Sequence, residues 1–548
     1  MMTASWRGAS TLVGGFLLHI TLGTLYTIGN LNPYLVSYLR GVACKSKYKS
    51  CTATTASGEF LPGNADMVWV MSCATIGQAG AMFFGGLLSK RVGAPRAALT
   101  GGAIASMGVA LAAPALRAGS FVGVVLSAGL LFGVGVGIAY APPLELAMRW
   151  FPRTKGLANG IVVGGFGLGA LIFDRVQTET VNAADTEPHK GLYPLIDPAE
   201  RYFTKEEVER LPGLMVSLAT TYFAMQALAV VLMHAPPVQP PSSSAPRAAP
   251  SVAHAHHSGV PQSDRKDEDA GDISGVSESH GLLGGGTTIE MRTRTHSDVG
   301  HHGKSGNGNY AAQNAKARMP WRGESVTVMG GSQKQVFSSR TFWILWFAFF
   351  LNSFAVSFTA SLFKAYGQDR GISDRFIGAF VGPTASLCNC AARVFWGRLG
   401  DLIGFGRTVF VMQMLMAVLM STWTLTDTNA AGHFTAAVPT SQGANRELYA
   451  VWVCAIFFCV GGNFSLFPAA TARAFGVAHT AQNYGLVFTS IIPSSLIAGL
   501  LTAPLKERLG WGLTTTVVAA VSLLGGVVGW RFQAESQKAP PPASAGAV

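Results

Sequence analysis

The sequence predicts an all-α membrane protein with twelve transmembrane helices in two six-helix, pseudo-symmetric halves, and three observations lead to this fold class. Only 12% of the 548 residues are charged, whereas an average soluble domain carries about 25%. Apolar residues make up 49% of the chain. They also gather into runs of about 20 residues, the length that crosses a bilayer as a helix. This composition excludes a disordered chain and argues against a water-soluble enzyme.

The predicted spans form two groups of six. The first span is too long for a cleavable signal and lacks a small-residue cleavage site. An even number of spans puts both termini on one side, and the basic residues of the short loops place that side in the cytosol. The spans are predicted at 11–39, 67–89, 97–116, 120–146, 156–175 and 213–234, then at 341–363, 375–398, 407–425, 448–471, 484–505 and 511–531.

A polar stretch separates the two groups and sets the domain organisation. It contains PPVQPPSSSAP, HAHHSGV and DRKDEDAGD, a composition typical of a disordered linker. Metal binding by its histidines is the less favoured alternative. We expect a helical half over 1–235, a cytosolic linker over 236–338, a second half over 339–533 and a disordered tail over 534–548.

Two smaller features lie in connectors. Cys44 and Cys51 share one polar loop, so a disulfide between them is open and would require a lumenal or extracellular face. The connector 176–212 contains Thr204 followed by Glu206 and Glu207, which predicts the start of a short surface helix.

Two loops carry a repeated motif. After span 8, WGRLGDLIGFGR supplies Gly397, Asp401, Gly404 and Arg407, and Asp401 could cap a helix or pair with Arg407 as a gate latch. A solvated polar loop is the alternative interpretation. After span 2, GLLSKRVGAPR has the same spacing, with Lys90 at the place of the aspartate. The corresponding residues of this second copy are Gly86, Arg91, Gly93 and Arg96.

These two loops resemble the loop signature of the major facilitator superfamily, and the resemblance covers the chain outside the linker. It implies secondary transport with a substrate site between the halves near the bilayer midplane. Lys90 departs from the family's aspartate, which leaves the first-half latch open. The glycine-rich span 4 with Tyr140, the WFPRTKG connector and the NYGLVF run resemble the oxalate/formate antiporter and monocarboxylate porter branches.

One ionisable residue stands out within the spans. Arg393 lies in SLCNCAARVFWG of span 8 without an acidic partner visible in the spans. A central arginine costs about 2.5–3.5 kcal/mol on insertion scales, so intramembrane charges are functional by default. A carboxylate ligand fits the planar guanidinium fork, and the alternative is an arginine that reaches to the membrane surface. Glu145, in span 4, is expected to pair with Arg149 at i+4.

The resemblance refines the interpretation of this position. Monocarboxylate porters carry an Asp-x-x-x-Arg pair in this span, and here Asn389 takes the place of the aspartate before Arg393. Because Asn389 cannot ionise, proton coupling through this position is lost. Oxalate/formate antiporters also use an arginine here, with a lysine in span 11 whose place maps onto Ile491. Monocarboxylate porters have a lysine in span 1, where Asn30 stands.

Further polar residues could complete the site. Span 1 offers His19, Tyr26 and Asn30, while Gln78 of span 2 and Tyr140 of span 4 are candidate hydrogen-bond donors. His19 could relay a proton, although a neutral histidine bonded to a backbone carbonyl is the more frequent arrangement.

We therefore expect a transporter or exchanger of small organic anions, and by charge matching a monocarboxylate such as pyruvate, lactate or formate. The alternatives are an oxalate-like dicarboxylate exchanger, a carrier of neutral solutes and, more remotely, a non-transporting sensor. The net charge of +12 lies mainly in short connectors and predicts no nucleic-acid partner. The expected partners are the anion, the lipid bilayer and either protons or a counter-anion. We expect a monomer that is not an enzyme and needs no cofactor or metal, in a plasma or organelle membrane.

Overall fold

Long helices dominate the computed structural model. A bilayer offers no water to the backbone, so its amide and carbonyl groups must be satisfied inside each helix. The structure describes residues 2–44, 61–63, 65–182, 184, 186, 188–193, 201–237, 333–426 and 442–538. Most of the predicted linker and tail lies outside these ranges, and the four-segment organisation remains a prediction.

Six long helices form the N-terminal half. The first of them contains a 3-10 turn at Gly23–Thr27, and the fourth contains a π-helical stretch at Val125–Leu131. Two short antiparallel strands of two residues each, β1 (His189–Lys190) and β2 (Arg201–Tyr202), lie between the fifth and sixth helices. The helices are α1 (Trp6–Cys44), α2 (Val68–Val92), α3 (Ala94–Arg117), α4 (Phe121–Trp150), α5 (Lys155–Val181) and α6 (Leu211–Leu232).

The C-terminal half repeats this pattern. A short helix at Gln333–Ser338 precedes it, and a π-helical turn at Ile377–Val381 precedes its second long helix. The helices are α7 (Arg340–Asp369), α8 (Gly382–Ile403), α9 (Phe405–Ser421), α10 (Gln442–Phe475), α11 (Val477–Leu501) and α12 (Arg508–Phe532).

Ten of these helices, within the described ranges, are long and apolar enough to cross a membrane by length and composition. The other two predicted spans correspond to α8 and α9. Helix α9 has 17 residues, slightly less than a bilayer crossing needs, and α8 carries Arg393, Arg398 and Asp401 among its apolar residues. The predicted fold class is confirmed.

Glycines let the helices of the N-terminal half touch. A Cβ at Gly133 of α4 would collide with the backbone of Ala74 in α2, and a Cβ at Gly135 would collide with Ala105 in α3. Such small residues allow the close packing that holds helices together in a bilayer, where hydrophobic burial gives little drive for association. Large side chains such as Leu500 and Val231 point outward, with 74% and 72% exposed.

The two motif loops have the same backbone shape. Gly93 follows α2 with φ 89° and ψ 152°, and Gly404 follows α8 with φ 89° and ψ 156°. This left-handed region favours glycine because it has no Cβ. The shared geometry explains why both motif copies carry a glycine at this place.

The connector between α5 and α6 differs from its prediction. The backbone N–H of Thr204 donates to Oε2 of Glu207 at 2.6 Å, as at a helix start. Residues 205–210 nevertheless form turns, so the predicted surface helix there is wrong. The side-chain contact satisfies the backbone donor locally, and the helix begins only at Leu211. Cys44, at the end of α1, is disulfide-bonded, and Cys51 lies outside the described residues.

Candidate functional site

Arg393 lies between the two halves and is fully buried. Its Nε donates to Oδ1 of Asn389 at 3.0 Å, and its Nη1 donates to the carbonyl oxygen of Val163 in α5 at 3.1 Å. Asn389 in turn donates to the carbonyl oxygen of Phe457 at 3.1 Å. The guanidinium is therefore held at the interface and does not extend to a membrane surface.

Aromatic rings cover the guanidinium. Its carbon lies 4.9 Å from the ring centre of Phe464 and 5.5 Å from that of Phe166, the range of cation–π attraction. In the part of the chain that the structure describes, no carboxylate forms a salt bridge with Arg393. The charge is compensated by ring faces and amide oxygens, which leaves it available to an anion.

Four buried polar atoms near this charge lack a hydrogen-bond partner: Nη2 of Arg393, the hydroxyls of Tyr140 and Tyr484, and Nε2 of His19. His19, Tyr140 and Tyr484 each interact electrostatically with the guanidinium, as does Tyr26. An unsatisfied buried polar group costs about 1–3 kcal/mol. Several of them around one cation indicate a binding site for a polar ligand.

The protonation of His19 follows from its neighbour. Nδ1 lies 2.8 Å from the carbonyl oxygen of Gly15. A carbonyl oxygen only accepts, so Nδ1 carries a proton and donates it to this carbonyl. The ring also packs edge-on against Tyr140, with 4.9 Å between the ring centres.

Aromatic side chains of both halves line the same region. Tyr140 lies 5.5 Å from Phe166, 6.4 Å from Tyr484 and 6.0 Å from Phe488, measured between ring centres. Sequence reasoning did not assign Phe166, Phe464, Tyr484 or Phe488 to the site. Tyr484 belongs to the NYGLVF run, and that motif was the one available signal.

Asn30 lies away from the guanidinium of Arg393. Asn30 donates to the carbonyl oxygen of Asp174 at 3.3 Å and to Oγ1 of Thr178 at 3.2 Å. This contact lies on α5 about 16 Å beyond Val163, at 1.5 Å per residue. Gln78 is buried where the backbone of α2 meets Gly137 of α4. Ile491, where the family's lysine would map, is buried.

The motif after α8 forms a contact between the halves. Asp401 accepts hydrogen bonds from the backbone N–H groups of Gly156 and Leu157, at 2.9 and 2.8 Å, and thereby caps the first turn of α5. Its ion pair joins it to Arg473 of α10 at 2.6 Å, while Arg407 is exposed. A carboxylate at a helix N-terminus also interacts favourably with the helix dipole.

The first half forms a similar contact, but here the motif loop supplies the basic residue and another helix supplies the acidic one. Glu145 of α4 accepts from the backbone N–H of Ala481 at 3.1 Å, in the first turns of α11, and pairs with Arg149 as predicted. Lys90 donates to the side chain of Gln482 and lies 2.8 Å from Nδ1 of His479. The carboxylate that caps α11 therefore comes from α4, and the motif loop supplies the cation.

We call the side of the protein that carries the two motif loops the linker face. Motif glycines bring the helices together there. A Cβ on Gly156 would collide with the carbonyl oxygen of Gly397, and the reverse also holds. Gly86 meets the backbone of Gln482 in the same way. The remaining motif residues Arg91, Gly93 and Arg96 are exposed there, and Gly404 is buried.

The contacts between the halves described above lie between the linker face and the level of Arg393. Asn159 adds a hydrogen bond of 2.7 Å to the carbonyl oxygen of Ser465. On the opposite side, which we call the outer side, a Cβ at Gly29 or Gly378 would meet no atom within 4 Å. The described structure is thus closed at the linker face.

Comparisons with known proteins agree with this architecture. Residues 12–173 and 345–547 match the family model described as Major Facilitator Superfamily. The chain is 29% identical to apicoplast pyruvate carrier 1 of Toxoplasma gondii, over 94% of this chain and 87% of that protein. It is 22% identical to the oxalate:formate antiporter of Oxalobacter formigenes, over 82% of this chain and 77% of that protein.

A solved structure supports the fold at low sequence identity. The Escherichia coli fucose:proton symporter matches with a TM-score of 0.53 and 12% identity, over 96% of this chain and 99% of that one. At this identity the match concerns the fold alone.

Proposed function

Because the chain belongs to the major facilitator superfamily of membrane transporters, we propose that it carries small organic anions, and specifically monocarboxylates such as pyruvate, by alternating access. The observation that carries this proposal is the buried Arg393 with its unpaired Nη2, surrounded by unpaired tyrosine hydroxyls.

A carboxylate matches these groups in number and charge. Nη2 of Arg393 and the hydroxyls of Tyr140 and Tyr484 are three donors, and a carboxylate offers about four acceptor sites on two oxygens. Charge-assisted hydrogen bonds of this kind are roughly twice as strong as neutral ones. The aromatic walls suit a short apolar substituent such as the methyl group of pyruvate.

The number of cations favours a monoanion. Among the described residues, Arg393 is the one charged side chain that interacts electrostatically with Tyr26, Tyr140, Tyr484 and His19. A dicarboxylate such as oxalate would bring a second negative charge without a counter-charge, and burying an unpaired charge is costly. The relatives named as pyruvate carrier and oxalate:formate antiporter support the substrate class.

The arrangement of the halves supports alternating access. Arg393 belongs to one half and its acceptor Val163 to the other. The contacts of Asp401, Glu145 and Gly156 close one side of the site. Rocking of the halves about a midplane site would break these contacts and open the linker face.

Transport by the purified full chain in proteoliposomes tests the proposal. Vesicles loaded with unlabelled anion are given labelled pyruvate, lactate, formate, oxalate or glucose outside. We expect exchange of the monocarboxylates, weaker exchange of oxalate and none of glucose. Rapid oxalate exchange without pyruvate movement would instead support the dicarboxylate alternative, and glucose uptake would support a neutral-solute carrier.

A further inference from the structure

A second ionisable residue lies within the membrane-spanning part of α5. Asp174 is six residues beyond the middle of α5 at Leu168 and two turns before the helix end at Val181. At 1.5 Å per residue it lies about 9 Å from the middle of α5 and about 16 Å beyond Val163, within the candidate membrane span Lys155–Val181. An acidic residue at this depth is functional by default.

Among the residues that the structure describes, no basic side chain forms a salt bridge with the carboxyl group of Asp174. Its Oδ1 is buried and has no hydrogen-bond partner. The basic residue next to it, Arg175, pairs with Glu179 at 2.8 Å, and both of those side chains are exposed. From α6, Tyr222 interacts electrostatically with Asp174. From α1, the uncharged Asn30 reaches the backbone carbonyl of Asp174.

A small cavity lies inside the N-terminal half beside these residues. Its volume is about 30 Å³, and its polar lining includes Thr27, Gln177 and Tyr222. A cavity needs about 10–15 Å³ to hold one water molecule, so this cavity has room for water next to Tyr222 and Gln177. Gln177 also donates to Oγ1 of Thr27 at 2.8 Å.

By helical periodicity, Asp174 falls on the side of α5 whose glycines pack against α8. A Cβ at Gly160 would meet the backbone of Arg393, and a Cβ at Gly167 would meet Asn389 and Cys390. Residues seven apart lie on the same side of a helix, with a drift of about 20°. Asp174 continues this series by one further step toward the outer side.

We propose that Asp174 is the proton-binding site of this carrier, and that its protonation allows the outer side to close over a bound anion. This inference rests on the proposed function. When the outer side closes, the face of α5 with Asp174 moves against α8. The π-helical turn Ile377–Val381 and the first turns of α8, which lie at this level, carry no charged residue, so a carboxylate there would be buried unpaired.

The proton removes that obstacle. Binding of one proton converts the carboxylate of Asp174 to a neutral carboxyl group, whose burial costs far less than that of an ion. One monocarboxylate neutralises Arg393 and one proton neutralises Asp174, so the loaded carrier moves without net charge on these two groups. Proton and anion would therefore cross together.

The test uses proteoliposomes of the wild type, Asp174→Asn, Asp174→Glu and the matched control Glu179→Gln, whose exposed carboxylate lies on the same helix. Labelled pyruvate uptake is measured in two modes. The first is accumulation driven by an acidic exterior, with the trapped dye pyranine reporting proton entry. The second is exchange against internal pyruvate at equal pH.

We expect Asp174→Asn to lose accumulation and proton entry by about tenfold or more, a typical size for coupling between two sites. Exchange should persist, because the amide imitates the protonated carboxyl group. Asp174→Glu should retain coupling, and Glu179→Gln should behave as wild type. Proton-coupled accumulation by Asp174→Asn would overturn the proposal, and so would loss of its exchange.

The two proposals fail in different ways. If the wild type exchanges pyruvate without proton entry, the proposed function stands and the role of Asp174 is rejected. If the wild type carries a different anion of the panel, the proposed substrate is wrong, and the same comparison with that anion decides the role of Asp174. A wild type that carries no anion rejects both.

Discussion

Nη1 of Arg393 in α8 donates a hydrogen bond of 3.1 Å to the carbonyl oxygen of Val163 in α5. This bond joins the two halves at the level of the site. A ligand that binds the guanidinium therefore acts on a residue that already holds the halves together, which gives a direct route from substrate binding to their movement.

Substitutions of Arg393 should distinguish the contribution of its positive charge to transport from that of its planar guanidinium group. Arg393→Gln removes the charge-assisted hydrogen bonds, worth about 1.5–3 kcal/mol, so pyruvate exchange should fall by about 10-fold to 100-fold. Arg393→Lys keeps the charge without the planar fork, and its pyruvate exchange rate should lie between those of the wild type and Arg393→Gln. Initial rates of exchange in proteoliposomes measure this, with Arg531→Gln at an exposed position as the control. Wild-type rates in Arg393→Gln would place the site elsewhere.

Asp401 should hold the linker face closed. Asp401→Asn keeps one acceptor oxygen and loses the charge that faces Arg473 and the α5 N-terminus. The closed arrangement should lose about 1.5–3 kcal/mol. Spin labels at the exposed positions Arg96 and Arg531 would report a wider distance distribution by electron paramagnetic resonance, after replacement of the reactive cysteines. An unchanged distribution would mean that Asp401 does not control this face.

Glu145 and Lys90 of the first half should be energetically coupled in the closed arrangement. Glu145 and Lys90 interact electrostatically and both contact the start of α11. In a double-mutant cycle, Glu145→Gln and Lys90→Gln should therefore be non-additive by about 0.5–3 kcal/mol in the closed population. The same pair of spin labels provides the measurement. Strict additivity would show that the two residues act separately.

Gly156 should tolerate no side chain in the closed arrangement. In Gly156→Ala the new Cβ would collide with the carbonyl oxygen of Gly397, and such overpacking costs about 1–3 kcal/mol. We expect a lower melting temperature in detergent and slower exchange. Gly80→Ala is the matched control, because a Cβ there meets no atom within 4 Å. Equal behaviour of the two variants would contradict the close contact.

The sequence by itself determined the helical membrane fold and the two motif loops, and it singled out Arg393 as a charge within a span. Each of these is a local signal: an apolar run as long as a bilayer is thick, a glycine with a fixed backbone shape, and a charge within an apolar run. The sequence did not single out Asp174, because this residue lies at the very end of the predicted span 5, 156–175. In the structure α5 continues to Val181, so Asp174 lies well inside the helix.

Only the tertiary structure decided which residues meet. The pairing of Asp401 with Arg473, the capping of α11 by Glu145, the rings of Phe166 and Phe464 over Arg393 and the contact of Asn30 with α5 all join distant segments. Glu145 and Ala481, for example, are 336 residues apart in the chain. No periodicity or spacing encodes such contacts, because they depend on how whole helices pack and on which turn of one helix faces which turn of another.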